Sequence, residues 1–401
     1  MSSRRRVALV LAGGAARGAY EVGVVDYVLR EVAKDVGPVK FDILCGTSVG
    51  ALNACALAAF ADQGVTAMPK VVDVWGKLDV SQLVSLDLRG FLGITKGWLA
   101  KKSPVPLSEG GLIDPTALEH VIAGSIPFER IGRNIAQGHL DALTVSTTHV
   151  ASGKTIVYIE RADKTVPRWS RDPTIEPRAA TITAQHALAS ASVPILFRAV
   201  NIDGEYHCDG GLRQNVPLSP ARRLGADSLL IVNPRRVEAM ALADQNQKVE
   251  VETFPSPFFL LGKTLNALLL DRIDTDLARL ESINRILEAG ESVWGDHFCE
   301  DLNHALGYPN GLGFRPMRAT MVRASEDIGM MASAYVKSAR FSRVQGMVGR
   351  LMRRIAASDS SNEADLLSYL LFDGPFALDL IELGRSDAKK RHEALCRVFA
   401  S

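Results

Sequence analysis

Short runs of aliphatic and β-branched residues alternate along the first half of the chain with stretches whose apolar positions return every three to four residues. That alternation predicts a mainly parallel sheet covered by helices. Val7-Ala8-Leu9-Val10-Leu11 is an unbroken apolar run, the pattern of a strand buried on both faces. A glycine-bearing turn over residues 13–18 leads into a helix whose apolar positions Val22, Val25, Val28, Leu29 and Val32 recur at helical spacing, until Gly37-Pro38 stops it. Residues 41–45 read as a second short strand, and residues 51–61 as an Ala/Leu-rich helix ended by Gly64. Asp114-Pro115 pairs a capping residue with a proline at the first helical position and predicts a helix through Val121. Residues 143–147 and 154–159 pattern as neighbouring strands joined by a turn at Ser152-Gly153, and residues 228–232 as another buried strand, preceded by a helix end carrying Gly225.

The periodicity then changes. Residues 261–287 are helical in pattern, 318–322 could add one strand, and the chain from Ile328 onward is almost wholly helical. The fold class expected is α/β, a mainly parallel sheet flanked by helices with a helical C-terminal extension. The domain reading is a core over residues 5–235 and a mainly helical region over 236–401, the latter lending strand 318–322 to the core sheet. No internal repeat or low-complexity linker interrupts this, and the polar stretch 358–363 is a loop-sized break.

Composition narrows the function classes. A hydrophobic share of 47% over 401 residues excludes wholesale disorder, and 46 basic against 45 acidic residues leave no field that would draw the chain to nucleic acid. The arginines at Arg350, Arg353 and Arg354 accordingly read as a solvated helix side. Five cysteines in no CxxC-type spacing, and in odd number, suit a reducing compartment. Arg4-Arg5-Arg6 before an apolar run imitates a secretory leader, but the run ends at Gly13-Gly14 and meets Arg17, so no cleaved leader is expected. The apolar stretch 258–270 carries Lys263 and is shorter than the ~20 residues a bilayer requires. The expectation is a soluble, cytoplasmic protein, peripheral to a membrane at most. For Phe91-Leu92-Gly93-Ile94 and Trp98-Leu99, flanked by Lys96, Lys101 and Lys102, packing on the core is preferred over dipping into a headgroup layer.

Three segments carry chemistry. Gly46-Thr47-Ser48-Val49-Gly50 stands between a strand and a helix, the setting of a nucleophile elbow: its glycines permit a tight turn that presents the serine hydroxyl at a helix N-terminus. Gly13-Gly14-Ala15-Ala16-Arg17-Gly18 likewise follows a strand and precedes a helix. A dinucleotide turn wants GxGxxG, and Ala15 stands where its second glycine belongs; a loop donating N–H groups to an oxyanion fits better. Neighbouring parallel strands would place both turns at one sheet edge. Asp209-Gly210-Gly211, ahead of Asn215-Val216-Pro217, sets a carboxylate on a sterically open turn; standing alone it reads as a solvated turn aspartate.

Taken together, the GGxxRG loop, GTSVGA and the distant DGG turn resemble the patatin-like phospholipases, with Ala189-Ser190-Ala191-Ser192-Val193-Pro194 and residues 206–217 extending the likeness over about residues 5–235. The resemblance implies a three-layer fold and a Ser–Asp dyad that dispenses with histidine. It further implies an oxyanion hole from the glycine-rich loop and hydrolysis of acyl esters in phospholipids or related lipids. By position it makes Ser48 the nucleophile and Asp209 the base, assigns Gly13, Gly14, Ala15 and Arg17 to the oxyanion loop, and makes Gly18, Gly46, Gly50, Gly210 and Gly211 motif glycines. Many relatives have glycine where this chain has Ala15, and a positive φ there would cost an alanine roughly 1–2 kcal/mol. Arg17 is expected to brace the loop, because a guanidinium stays charged and moves no protons.

The predicted function is a serine lipid acyl hydrolase working through an acyl-enzyme, with no metal and no organic cofactor, acting on a lipid substrate with peripheral membrane contact. His149, His186 and His207 are expected to be structural, since the elbow follows only the second strand rather than the several strands of an α/β-hydrolase triad. Two alternatives stay open: an acyltransferase using the same serine, and a catalytically silent nucleotide- or lipid-binding module.

Overall fold

The structure is a computed structural model, and it describes residues 5–83, 114–166, 172–194, 196–214, 216–236, 273–308, 313–357 and 361–400. The segments 91–99 and 258–270, the lysines beside the former, and Asn215 lie outside the described residues.

Nine strands share one sheet: β1 (Val7–Leu11), β2 (Ile43–Thr47), β3 (Ala142–His149), β4 (Thr155–Arg161), β5 (Ile175–Ala179), β6 (Val200–Ile202), β7 (Glu205–Asp209), β8 (Ser228–Asn233) and β9 (Arg318–Arg323). The main order is β5-β4-β3-β2-β1-β8-β9, and β7 joins β3 and β6 off that path. Pairings β1–β2, β1–β8, β2–β3, β4–β5 and β8–β9 are parallel; β3–β4, β3–β7 and β6–β7 are antiparallel. The sheet is mainly parallel, as expected, with its antiparallel elements gathered around β3.

Strand alternation divides the core in two. Val7, Leu9 and Leu11 of β1 face one apolar cluster, together with Leu44, Leu143, Leu230 and Val322. Ala8 and Val10 face the other, with Ile43, Cys45, Val157 and Ile231. Helices cover both faces, which is why β1 is apolar at every position and β2, β3 and β8 are buried along nearly their whole length. The first face carries α1 (Gly18–Tyr27), α2 (Val49–Ala59) and α3 (Met68–Gly76). The second carries α4 (Leu218–Arg223) and the buried end of α5 (Ile273–Trp294), through Ala221 and Ile273.

The C-terminal helices α6 (Ile328–Lys337), α7 (Gly346–Ala356), α8 (Ser361–Leu370), α9 (Gly374–Lys390) and α10 (His392–Phe399) add to the first face. α9 crosses α1 where two glycines meet backbone: a Cβ on Gly23 would stand 2.0 Å from the Ile381 carbonyl oxygen, and one on Gly384 2.2 Å from that of Tyr20. The crossing is fixed by Tyr20 Oη donating to Asp387 at 3.2 Å and by Arg385 paired with buried Asp26 at 2.6 Å.

Some boundaries shift from the sequence reading. The second strand is Ile43–Thr47 rather than 41–45, and the helix after it begins at Val49 rather than 51. Gly46 and Thr47 have the look of turn residues, but they pair with Val145 and Ser146 of β3, compressing the turn to Ser48 alone. The polar stretch 358–363 is not wholly a loop, because α8 starts at Ser361. Among the described residues, no helix is long and apolar enough to cross a membrane.

Candidate active site

Strand β3 brings the serine and the aspartate together. β4 pairs with one edge of β3 from Ala142 to Thr148, leaving the other edge to both β2 and β7. β2 runs parallel to β3 and ends with Thr47 opposite Ser146; β7 arrives from the opposite direction and ends with Asp209 opposite Thr147. Two strands therefore point at each other along one edge, one register step apart, and the next residue of β2 is Ser48. Gly210 leaves β7 so close over β3 that a Cβ there would be 2.2 Å from the Ser146 carbonyl oxygen.

The result is a direct hydrogen bond in which Ser48 Oγ donates to Asp209 Oδ2 at 2.6 Å. Both residues are buried, Ser48 at 3% exposure and Asp209 at 0%. Gly211 N–H donates to the other carboxylate oxygen, Oδ1, at 2.6 Å. Burial is the dominant influence on the Asp209 carboxyl and pushes its pKa up to about 6, against the lowering effect of the Ser48 and Gly211 hydrogen bonds. Ser48 has φ 55° and ψ −129°, a strained backbone for a non-glycine residue and the mark of an elbow that the surrounding fold holds in place.

That hold has identifiable parts. The Ser48 N–H donates to Ser190 Oγ at 2.9 Å, and Ser190 Oγ donates in turn to the Ser146 carbonyl at 2.6 Å. The Asp209 N–H donates to the Ser192 carbonyl at 2.9 Å, and Thr148 Oγ1 donates to the Asp209 carbonyl at 2.9 Å. Residues 189–194, quoted above only as part of a likeness, thus bind both members of the pair. Ser190 carries no local signature that distinguishes it from any other serine in a small-residue helix.

The glycine-rich loop packs against the elbow at both its ends. A Cβ on Gly50 would lie 2.4 Å from the Leu11 carbonyl oxygen, and one on Gly18 would lie 2.4 Å from Val49 Cγ2. Gly13, Gly14 and Ala15 bridge these two contacts. Ala15 has φ +49°, the left-handed conformation that is costly for an alanine. Ala16 and Arg17 complete a short 3-10 turn, closed by Arg17 N–H donating to the Gly14 carbonyl at 3.0 Å.

The Arg17 side chain is engaged by a C-terminal helix. Its Nε donates to Ser368 Oγ at 2.8 Å, its Nη2 to Asp365 Oδ1 at 2.7 Å, and its guanidinium carbon lies 4.2 Å from the centre of the Tyr369 ring. All three partners belong to α8. The loop is thus braced from the C-terminal helices, a connection that nothing near Arg17 in the sequence reveals.

Below the loop, buried Glu21 on α1 accepts from Asn53 Nδ2 at 2.8 Å, and the same amide nitrogen donates to the Gly18 carbonyl at 3.0 Å. Burial pushes the Glu21 carboxyl well above its usual range, against the lowering effect of the Asn53 hydrogen bond.

The histidines are engaged elsewhere. His207 contacts Thr147 Oγ1 through Nδ1 and Tyr158 Oη through Nε2, both at 3.1 Å. His186 forms a capping box with Thr183. Burial is the leading cause that lowers both imidazoles to about 4 and keeps them neutral. His149 Nδ1 contacts Ser152 at 2.7 Å.

Comparison with known proteins places this geometry in context. A family profile described as "Patatin-like phospholipase" matches residues 9–222, more than half of the 401-residue chain. Among solved structures, VipD from Legionella pneumophila is 14% identical with a TM-score of 0.34, the match covering 93% of this chain and 91% of VipD. The heterodimeric ExoU–SpcU complex of the type III secretion system of Pseudomonas aeruginosa is matched at 16% identity and a TM-score of 0.26, over 97% of this chain and 76% of that chain. Superpositions this loose add nothing to the sequence match.

Proposed function

The chain belongs to the patatin-like phospholipase family, and from that premise we propose that it is a serine lipid acyl hydrolase using Ser48 as nucleophile and Asp209 as its only base. The observation that carries the proposal is the 2.6 Å hydrogen bond from Ser48 Oγ to Asp209 Oδ2, made without an intervening histidine. A serine hydroxyl is a weak nucleophile until a base stands within hydrogen-bond reach. A carboxylate with a pKa near 6 is ionised at pH 7 yet far more basic than an exposed aspartate, which suits it to accept that proton.

In the proposed reaction Asp209 takes the hydroxyl proton as Ser48 Oγ attacks the ester carbonyl. The oxyanion that forms is stabilised by N–H groups of Gly13, Gly14 and Ala15 and by the positive end of α2, both of which abut the elbow. The tetrahedral adduct collapses, its C–O bond to the alcohol breaks, and the departing alcohol takes the proton from Asp209. Water then attacks the acyl-enzyme, Asp209 accepts its proton, and collapse of the second adduct releases the fatty acid and returns the proton to Ser48. Every step uses side chains and amides of this chain.

The backbone strain at Ser48 and the desolvated carboxylate beside it favour catalysis over a silent binding module. Each costs stability, and neither is needed merely to bind. The test is release of free fatty acid from phospholipid vesicles by the purified protein: wild type releases it and Ser48→Ala does not. Equal release by the two would end the proposal.

A further inference from the structure

A second constellation lies outside this site, where α10 returns to the last turn of the first helical stretch (Ala33–Val36). Asp35, His392 and Cys396 converge there with one ligand atom each, all within 4.8 Å of one another. His392 and Cys396 stand four residues apart on α10 and so share a helix face. Asp35 Oδ2 is 2.6 Å and Cys396 Sγ 3.4 Å from the same ring atom, His392 Nε2.

That shared atom decides between two readings. A thiol–imidazole–carboxylate relay needs the thiol and the carboxylate on opposite ring nitrogens, with the carboxylate orienting the imidazole from behind. Here both crowd Nε2, which carries at most one proton, and Nδ1 is occupied by Tyr27 Oη at 3.0 Å. Three electron-pair donors gathered within 4.8 Å of one another, with the imidazole oriented from its far side, are the arrangement of a metal centre with its supporting hydrogen bond.

We propose that Asp35, His392 and Cys396 bind a Zn2+ ion, with Tyr27 orienting the imidazole and water as the fourth ligand. Tetrahedral ligands at about 2.0 Å for N and O and 2.3 Å for S stand roughly 3.3 Å apart for N and O and roughly 3.6 Å for N and S. The 3.4 Å between Nε2 and Sγ already matches. The 2.6 Å between Nε2 and Oδ2 has to widen, and the Asp35 side chain, 61% exposed, is free to swing. Lys34, the adjacent cation, is paired with Glu31 at 2.7 Å. Coordination releases the Cys396 thiol proton and leaves a proton on His392 Nδ1, whose hydrogen bond the Tyr27 oxygen accepts. The ion would tie α10 to the first helical stretch.

The site is tested on the full chain, stripped with chelator and titrated with Co2+ and then Zn2+. The expected result is one equivalent of Co2+ bound with a thiolate-to-cobalt charge-transfer band, which one equivalent of Zn2+ removes. Cys396→Ser loses the band, whereas Cys299→Ser, which removes the other partly exposed thiol, keeps it. Asp35→Asn, at an exposed position that leaves the fold intact, and Tyr27→Phe each weaken Zn2+ binding by at least about tenfold. Ester hydrolysis by Cys396→Ser stays at the wild-type rate. Absence of a thiolate band in the wild type, or Zn2+ binding to Cys396→Ser as tight as to wild type, overturns the site.

Discussion

Arg17 is ion-paired with Asp365, Nη2 to Oδ1 at 2.7 Å, although 348 positions separate them. The loop proposed to stabilise the oxyanion is therefore held by a helix that the family match at 9–222 does not include. Arg17→Lys is expected to lower kcat about tenfold with little change in KM. A single ammonium cannot span Ser368 and Asp365 as the planar guanidinium does, so the loop loosens while the substrate surface is kept. Asp365→Asn leaves a buried guanidinium without its counter-charge and should cost about 2–3 kcal/mol in denaturant unfolding, less than a fully buried pair because Asp365 is partly exposed. Steady-state kinetics and unfolding curves check the two variants, and unchanged values in both would remove the brace.

Ser190 holds the elbow from a fully buried position. Ser190→Ala leaves the Ser48 N–H buried and unpaired, a penalty of about 1–3 kcal/mol. If that penalty falls on the geometry of attack, kcat drops roughly 10- to 100-fold. KM should move little. Ser190→Thr keeps the hydroxyl and should recover part of the rate, which a purely steric role for the position does not predict.

As the proposed base, Asp209 is expected to set the pH dependence of both rate and stability. Only the ionised form accepts the Ser48 proton, so kcat/KM should rise with pH through about 6 and level off above it. The folded carboxyl titrates above its unfolded value. The folded state therefore binds the extra proton between about 4 and 6, and stability falls as pH rises through that window. Asp209→Asn carries no such charge, and its amide can still meet Ser48 and Gly211. It should be nearly inactive yet more stable than wild type at pH 8, by on the order of 2 kcal/mol, with the gap closing near pH 4. Thermal unfolding at the two pH values measures this, and a variant less stable than wild type at pH 8 would contradict the buried-carboxylate account.

The pieces legible in the sequence were those with a local cause. Val7–Leu11 is apolar at every position because both its faces are covered, and Gly46 and Gly50 flank Ser48 because helix and strand come too close for side chains. The sequence marks Ala15 as a place where a positive φ would be costly, and the structure has φ +49° there. What stayed hidden depends on segments far apart along the chain. The meeting of Ser48 and Asp209 is decided by where β2 and β7 end along β3, a register no single segment encodes. Ser190, Asp365 and Ser368 look like ordinary polar helix residues until the fold turns them inward. The start of α2 was missed for a related reason: Gly46 and Thr47 have turn composition, but the β3 edge offers them ladder hydrogen bonds.

The central claim is that Ser48 is activated by Asp209 alone, and covalent labelling with a fluorophosphonate, followed by mass mapping of the adduct, tests it most directly. One adduct per chain on the Ser48 peptide is predicted, with none in Ser48→Ala and a labelling rate at least about 100-fold slower in Asp209→Asn. An adduct on any other residue, or wild-type labelling speed in Asp209→Asn, would contradict it.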